Sequence, residues 1–168
     1  MLEPLRIGTL GAARITPPAL VRPARELAGA EVVAVAARDP ERARAFAAKH
    51  GIPRVHASYD ALLADPEIEA IYNPLPNGLH CEWTLRALDA GKHVLCEKPL
   101  ASNEQEATRM ADAADRTGLV VAEAFHWRYH PLALPTLALL VGVWVYGVLA
   151  AYRPVRPMSS TFVLAVLV

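Results

Sequence analysis

Two patterns of apolar and polar positions alternate along the first 124 residues. Short β-rich apolar runs are each followed by a longer stretch with helical punctuation. Leu5–Leu10 (LRIGTL) reads as a strand running into a turn at Gly11. Glu31–Ala37 (EVVAVAA) is almost continuously apolar, as expected of a strand buried on both faces. Arg54–Ala57 predicts a short third strand and Glu69–Asn73 a fourth, which Pro74 and Pro76 cut off. His93–Cys96 and Leu119–Ala124 supply a fifth and a sixth. Between them, Asp39 is an N-cap with Pro40 at the first helical position, and Gly51 ends that helix. Ser58 caps a brief helix through Leu63, stopped near Pro66, and a helix from about Leu79 to Ala90 closes on Gly91. Ser102 with Gln105 forms a capping box for a helix running to Gly118. Strands alternating with helices predict βαβ units, hence an α/β fold with a parallel sheet and right-handed crossovers.

Charge adds a boundary. Lys+Arg 17 and Asp+Glu 17 balance to zero, yet residues 132–168 contain only Arg153 and Arg156. Residues 1–131 therefore read as the folded domain and 132–168 as an atypical apolar tail. The even balance speaks against a nucleic-acid partner. Cys81 and Cys96 are too few for a disulfide framework and wrongly spaced for zinc, so reduced thiols and no metal are expected. Met1–Gly8 lacks the apolar core of a secretory signal, and the expected compartment is the cytoplasm.

Three readings fit the tail, which has no charge from Leu132 to Tyr152. A shifted reading frame near residue 133, or truncation, fits the abrupt loss of charge best. A membrane anchor flanked by Arg153 and Arg156 is less favoured, because Pro135 interrupts it early. A pair of buried strands fits the composition of Val141–Val148. An exposed apolar tail also invites self-association.

Where the first strand meets its helix the chain reads Gly11-Ala12-Ala13-Arg14-Ile15-Thr16, a degenerate G-x-A-x-x-T form of the dinucleotide phosphate turn. Gly11 suits the tight turn, and Ala13 is small enough for backbone N–H groups to approach a pyrophosphate. Thr16 replaces the third glycine, which predicts a slightly wider helix–strand spacing. Pro17 and Pro18 predict a confined or kinked first turn. A Gly-Ala turn also serves plain packing; its place at the head of six alternating strands favours the doubly wound Rossmann reading. At the end of the second strand, Ala37 offers no carboxylate for a ribose 2′-hydroxyl. Arg38 offers a guanidinium for a 2′-phosphate, unless it is a solvated surface charge. The residues therefore favour NADP over NAD.

Three further segments are Asn73–His80 (NPLPNGLH), Cys96–Leu100 (CEKPL) and Ala122–Pro131 (AEAFHWRYHP). In this order and spacing the chain resembles the Gfo/Idh/MocA family of oxidoreductases over residues 5 to about 131. GAARIT, the SYDALLADPEIEAIYNPLPN run and CEKPL look closest to its dihydrodiol- and sugar-dehydrogenase-like branch. The resemblance implies that Lys98 is the catalytic lysine, reaching the nicotinamide ribose and the reacting oxygen of the substrate. It implies cofactor contacts from Glu97, from Pro74, Leu75, Pro76, Asn77 and His80, and from Trp127 and Arg128. Arg14 and Ile15 join Gly11, Ala12 and Ala13 at the phosphates. His126 and His130 read as structural residues of the junction. The implied reaction moves a hydride between nicotinamide and a carbinol or carbonyl carbon of a sugar, cyclitol or dihydrodiol. Family members continue into a second α/β domain, and the last 37 residues here do not resemble its opening. Two other classes stay open, a non-catalytic dinucleotide-binding sensor and a membrane-tethered module.

Overall fold

Burial sorts the strands into an ordered sheet. In a computed structural model describing residues 3–125 and 130–152, six strands pair in the order β3-β2-β1-β4-β5-β6, and every pairing is parallel. They are β1 (Leu5–Leu10), β2 (Ala30–Ala36), β3 (Arg54–His56), β4 (Ala70–Asn73), β5 (His93–Cys96) and β6 (Val121–Glu123). All of β4 and the last five residues of β2 are buried, whereas no residue of the outermost β3 and β6 is. Continuous apolar runs thus occupy the middle of the sheet and mixed runs its edges, as layers of helix on both faces require.

Two cores lie on the two faces of the sheet. Leu10, Val33, Leu62, Ile71, Trp83 and Leu88 belong to one; Ile7, Leu20, Val32, Val35 and Ile52 belong to the other. The first takes in α3 (Tyr59–Leu63), α4 (His80–Asp89) and α5 (Glu104–Thr117); the second takes in α1 (Arg22–Glu26) and α2 (Pro40–His50). Gly8 of β1 shows how closely the layers pack, because a Cβ there would stand 2.9 Å from Leu62 Cδ2.

Local chemistry sets the helix ends. Asp39 Oδ1 accepts from the N–H groups of Glu41 and Arg42, and Gly51 closes α2 at φ 57°. Ser58 Oγ accepts from Ala61 N. At α5 the expected Ser102/Gln105 box is displaced by one residue. Asn103 Oδ1 accepts from Glu106 N, and the Glu106 carboxylate reaches back to Ser102 N, both at 2.9 Å. Asn caps as well as Ser, and a carboxylate accepts more strongly than the Gln105 amide. The two prolines change the first helix as expected: Pro17–Val21 forms a π-helical turn in which Arg22 N donates to Pro17 O, before α1 begins.

The chain after Ala124 forms a separate unit. Within it, α6 (Ala133–Tyr152) replaces the paired strands that the valine-rich stretch had suggested. Its Leu and Ala content favours helix, and strand composition decides little without neighbouring strands to pair with. Leu134, Leu140 and Trp144 are 79%, 62% and 70% exposed. Among the described residues no helix is long and apolar enough to cross a membrane.

Candidate functional site: a cleft at the carboxyl ends of the strands

The strand order reverses between β1 and β4, and in open α/β sheets that switch point opens a crevice beyond the strand ends. A cleft of about 500 Å³ lies there. Its walls come from four loops: Gly11–Ala13 after β1, Ala37–Asp39 after β2 with Arg42 of α2, Tyr59 after β3, and Pro74–Pro76 with Leu79 after β4.

The glycine turn builds one wall. Gly11 adopts φ 82°, and a Cβ there would stand 3.2 Å from Leu75 Cδ2 on the opposite wall. Its own N–H donates to Ala36 O. Among the described residues nothing accepts from the N–H groups of Ala12, Ala13, Arg14 or Ile15. Four consecutive unbonded donors beside small side chains suit the oxygens of a pyrophosphate. The side chains of Arg14 and Ile15 themselves point to solvent. Thr16, in place of a glycine, is fully buried, and its hydroxyl has no partner among the described residues.

Cations mark the β2 end. Arg38 is exposed and has no hydrogen-bond or ion-pair partner among the described residues. Arg42, also on the cleft, donates from Nη2 to Ala12 O at 3.0 Å and so ties α2 to the glycine turn. Sequence reasoning found Arg38 and passed over Arg42. The available signal was a pair of arginines flanking a capped helix start. Asp39 caps that helix, as its place in the sequence suggested. Tyr59 is another lining residue; it packs edge-on to Trp83 with ring centroids 4.8 Å apart.

The β4–β5 end is different, because its polar groups are buried and partnered. The Tyr72 hydroxyl donates to Glu97 Oε1 at 2.6 Å, and Lys98 N donates to Glu97 Oε2. Burial, reinforced by the Glu97 carboxylate, pushes the Tyr72 phenol far above its usual range, so it stays a donor. Asn73 Nδ2 donates to His80 O and Thr84 Oγ1, and its side-chain carbonyl accepts from Leu75 N. Both ring nitrogens of His80 lie against backbone carbonyls, Nδ1 at 2.8 Å from Pro99 O and Nε2 at 2.7 Å from Leu75 O. Cys96 is inert, since burial pushes its thiol up to about 12.

Apart from Arg14 and Ile15, exposed and outside the cleft lining, the predicted site residues fall into three groups. Gly11, Ala12, Ala13, Arg38, Pro74, Leu75 and Pro76 meet around one cleft. Asn77 and the α4 start at His80 follow β4, and Glu97 and Lys98 follow β5, with Asn77 and Lys98 exposed and His80 and Glu97 buried. The Lys98–Pro99 peptide is cis. Trp127 and Arg128 lie outside the described residues. Tyr72, Asn73 and Thr84 were missed as polar scaffold. Their one signal was a Tyr-Asn pair closing an otherwise apolar strand.

Comparison with known proteins agrees with this geometry. The sequence profile of the Gfo/Idh/MocA oxidoreductase family, NAD-binding Rossmann fold, matches residues 5–125. An uncharacterised oxidoreductase of Rhizobium meliloti is 51% identical over 130 residues, which are 77% of this chain and 39% of that protein. A D-xylose 1-dehydrogenase (NADP(+)) of Haloferax volcanii is 44% identical, covering 76% of this chain and 39% of its own. The chain thus spans about two fifths of the length of these relatives. The crystal structure of a 3-ketoreductase from Actinomadura kijaniata, complexed with NADP and TDP-benzene, superposes with a TM-score of 0.76 at 37% identity, over 83% of this chain and 42% of that one. This chain accordingly belongs to the Gfo/Idh/MocA oxidoreductase family, of which it carries the NAD-binding Rossmann fold.

Proposed function

We propose that the cleft holds NADP(H), and that the domain is the cofactor half of a dehydrogenase acting on a carbinol or carbonyl carbon of a sugar-like or polyol substrate. The observation that supports this most is the pairing, on one cleft, of the unbonded N–H groups of Ala12 and Ala13, a row that continues in Arg14 and Ile15, with the Arg38 and Arg42 guanidinium groups. The N–H row fits a pyrophosphate, and guanidinium groups recognise a phosphate monoester such as a ribose 2′-phosphate. The NADP-linked xylose dehydrogenase and ketoreductase relatives support the cofactor and the substrate class.

Bound nicotinamide supplies or takes up a hydride at its C4. The chain's own residues position it and manage charge. The small Gly11–Ala13 turn and Leu75 shape the wall against which the dinucleotide lies. Glu97, fixed by Tyr72, holds the loop that carries Lys98 at the end of β5. An ammonium on that loop can donate to a substrate oxygen, stabilising negative charge as a carbonyl is reduced and giving that oxygen its proton; in alcohol oxidation the neutral amine takes the proton back.

The experiment is turnover of NADPH with a panel of sugar aldehydes and polyols, for wild type and Lys98→Met, each joined to the second domain of a relative. Wild-type turnover, with Lys98→Met binding cofactor and transferring no hydride, is expected. Cofactor binding without turnover in the wild type would leave a sensor module, and full turnover by Lys98→Met would remove the lysine from the chemistry.

A further inference from the structure

We infer that Glu123 is a positioning residue for Lys98. Its carboxylate reaches in from β6 and fastens the far end of the Lys98 loop by the backbone, which leaves the ammonium free for cofactor and substrate. The inference rests on the proposed role of Lys98 at the nicotinamide.

The loop leaves β5 at Cys96, between two neighbouring strands. Cys96 pairs with Asn73 of β4 and with Glu123 of β6, and Glu97 N donates to Asn73 O while Ala124 N donates to Cys96 O. From Lys98 to Leu100 only two backbone N–H groups remain, because Pro99 has none. Each donates to a carboxylate: Lys98 N to Glu97 Oε2 at 3.2 Å, and Leu100 N to Glu123 Oε1 at 2.9 Å. Glu97 belongs to the loop's own start, whereas Glu123 comes from a separate strand, 23 positions on from Leu100. A contact from Cys96 Sγ to Leu100 O, at 3.9 Å, is weak beside it. The charge-assisted bond to Glu123 is therefore the strong tie between the loop's exit and the sheet.

Charge has two separate uses here. Both carboxylates take backbone donors of the loop, and Glu97 takes the Tyr72 hydroxyl on its other oxygen. The Lys98 ammonium pairs with neither; Lys98 is exposed and has no hydrogen-bond or ion-pair partner among the described residues. A salt bridge to either carboxylate would hold the loop but occupy the donor. Fixing the backbone on both sides of Lys98 instead narrows the space that its flexible four-carbon stem samples. Less ordering entropy is then lost when the ammonium meets a ligand. Without the Glu123 acceptor, Leu100 N is released and the loop's exit drifts, while β5 and β6 keep their own pairing.

The test reads the Leu100 amide and then the cofactor, in the ¹⁵N-labelled full chain. Glu123→Met keeps the reach of the side chain without an acceptor, and Glu123→Ala takes its place if that variant does not fold. Glu123→Gln keeps an amide carbonyl that can accept. Hydrogen exchange at Leu100 N should be about tenfold faster in Glu123→Met and close to wild type in Glu123→Gln. NADPH should bind about fivefold more weakly to Glu123→Met, with most of the loss restored in Glu123→Gln. In a Lys98→Met background, Glu123→Met should weaken binding no further, because Glu123 acts through the ammonium. An unchanged Leu100 amide, wild-type affinity in a folded Glu123→Met, or equal losses in both backgrounds would overturn the inference. A wild type that bound no NADPH would instead refute the cofactor reading, and with it the role given to Lys98.

Discussion

At the β1–β2 end of the cleft, exposed guanidinium groups and unbonded backbone N–H groups face open space. At the β4–β5 end, the polar side chains of Tyr72, Asn73, His80 and Glu97 are buried and bonded to one another or to nearby loops. The first end keeps Arg38 and the backbone N–H row unpartnered, while Arg42 also bonds Ala12 O. The second end uses its polar groups to hold two loops in place, so a ligand there meets a surface that is already set. Side-chain substitutions should separate the two: affinity without stability at Arg38, stability before affinity at the buried polar groups of the second end.

The largest effect is expected at Tyr72. Tyr72→Phe leaves the Glu97 carboxylate, 7% exposed, without its hydroxyl donor. Urea unfolding should show a loss of about 1.5–3 kcal/mol, the range for a hydrogen bond to a charged group. Unchanged stability would mean that Glu97 is satisfied in some other way.

Next comes Gly11, where the left-handed backbone and the approach of Leu75 act together. Gly11→Ala should cost about 1–2 kcal/mol and weaken NADPH binding as well, because the turn itself is displaced. A variant as stable as wild type would show that the turn relaxes freely.

Arg38 should behave in the opposite way. Arg38→Ala is expected to weaken NADPH about tenfold, to change NADH much less, and to alter stability by less than about 0.5 kcal/mol. Equal loss of the two cofactors in parallel titrations would place Arg38 away from a 2′-phosphate.

The smallest effect concerns acid stability, away from the cleft. Burial opposes ionisation of Asp65, but the Glu67 N–H, Arg54 and His56 together hold its carboxyl below the ordinary value of 3.8. A lowered folded-state pKa means that the stabilisation is fully present above 3.8 and is lost as pH falls through the folded value. Asp65→Asn should therefore flatten the fall in stability below pH 3.8, compared with wild type. An unchanged acid limb would exclude this cluster.

Much of the fold was legible because its signals are local. Continuous apolar runs marked β2 and β4, and Asp39, Ser58, Gly51 and Gly118 marked helix ends within one turn of the chain. The α5 cap slipped by one residue because Ser102 and Asn103 are both competent caps and only three-dimensional geometry chooses between them. Of the three readings of the tail, the paired strands fail for the opposite reason: Val-rich composition suggests strands, but only pairing partners make one. The site divided in the same way. Gly11–Ala13 and Arg38 are local features of strand–turn–helix units and could be read directly. The links from Tyr72 to Glu97 and from His80 to Pro99 join residues 25 and 19 positions apart, and no period in the sequence encodes them.

The most direct test of the central claim is equilibrium titration of the full chain with NADPH and with NADH, followed by nicotinamide fluorescence. Saturable one-to-one binding is predicted, with NADPH the tighter ligand. Binding of neither, or a preference for NADH, would contradict the assignment of this cleft to NADP(H).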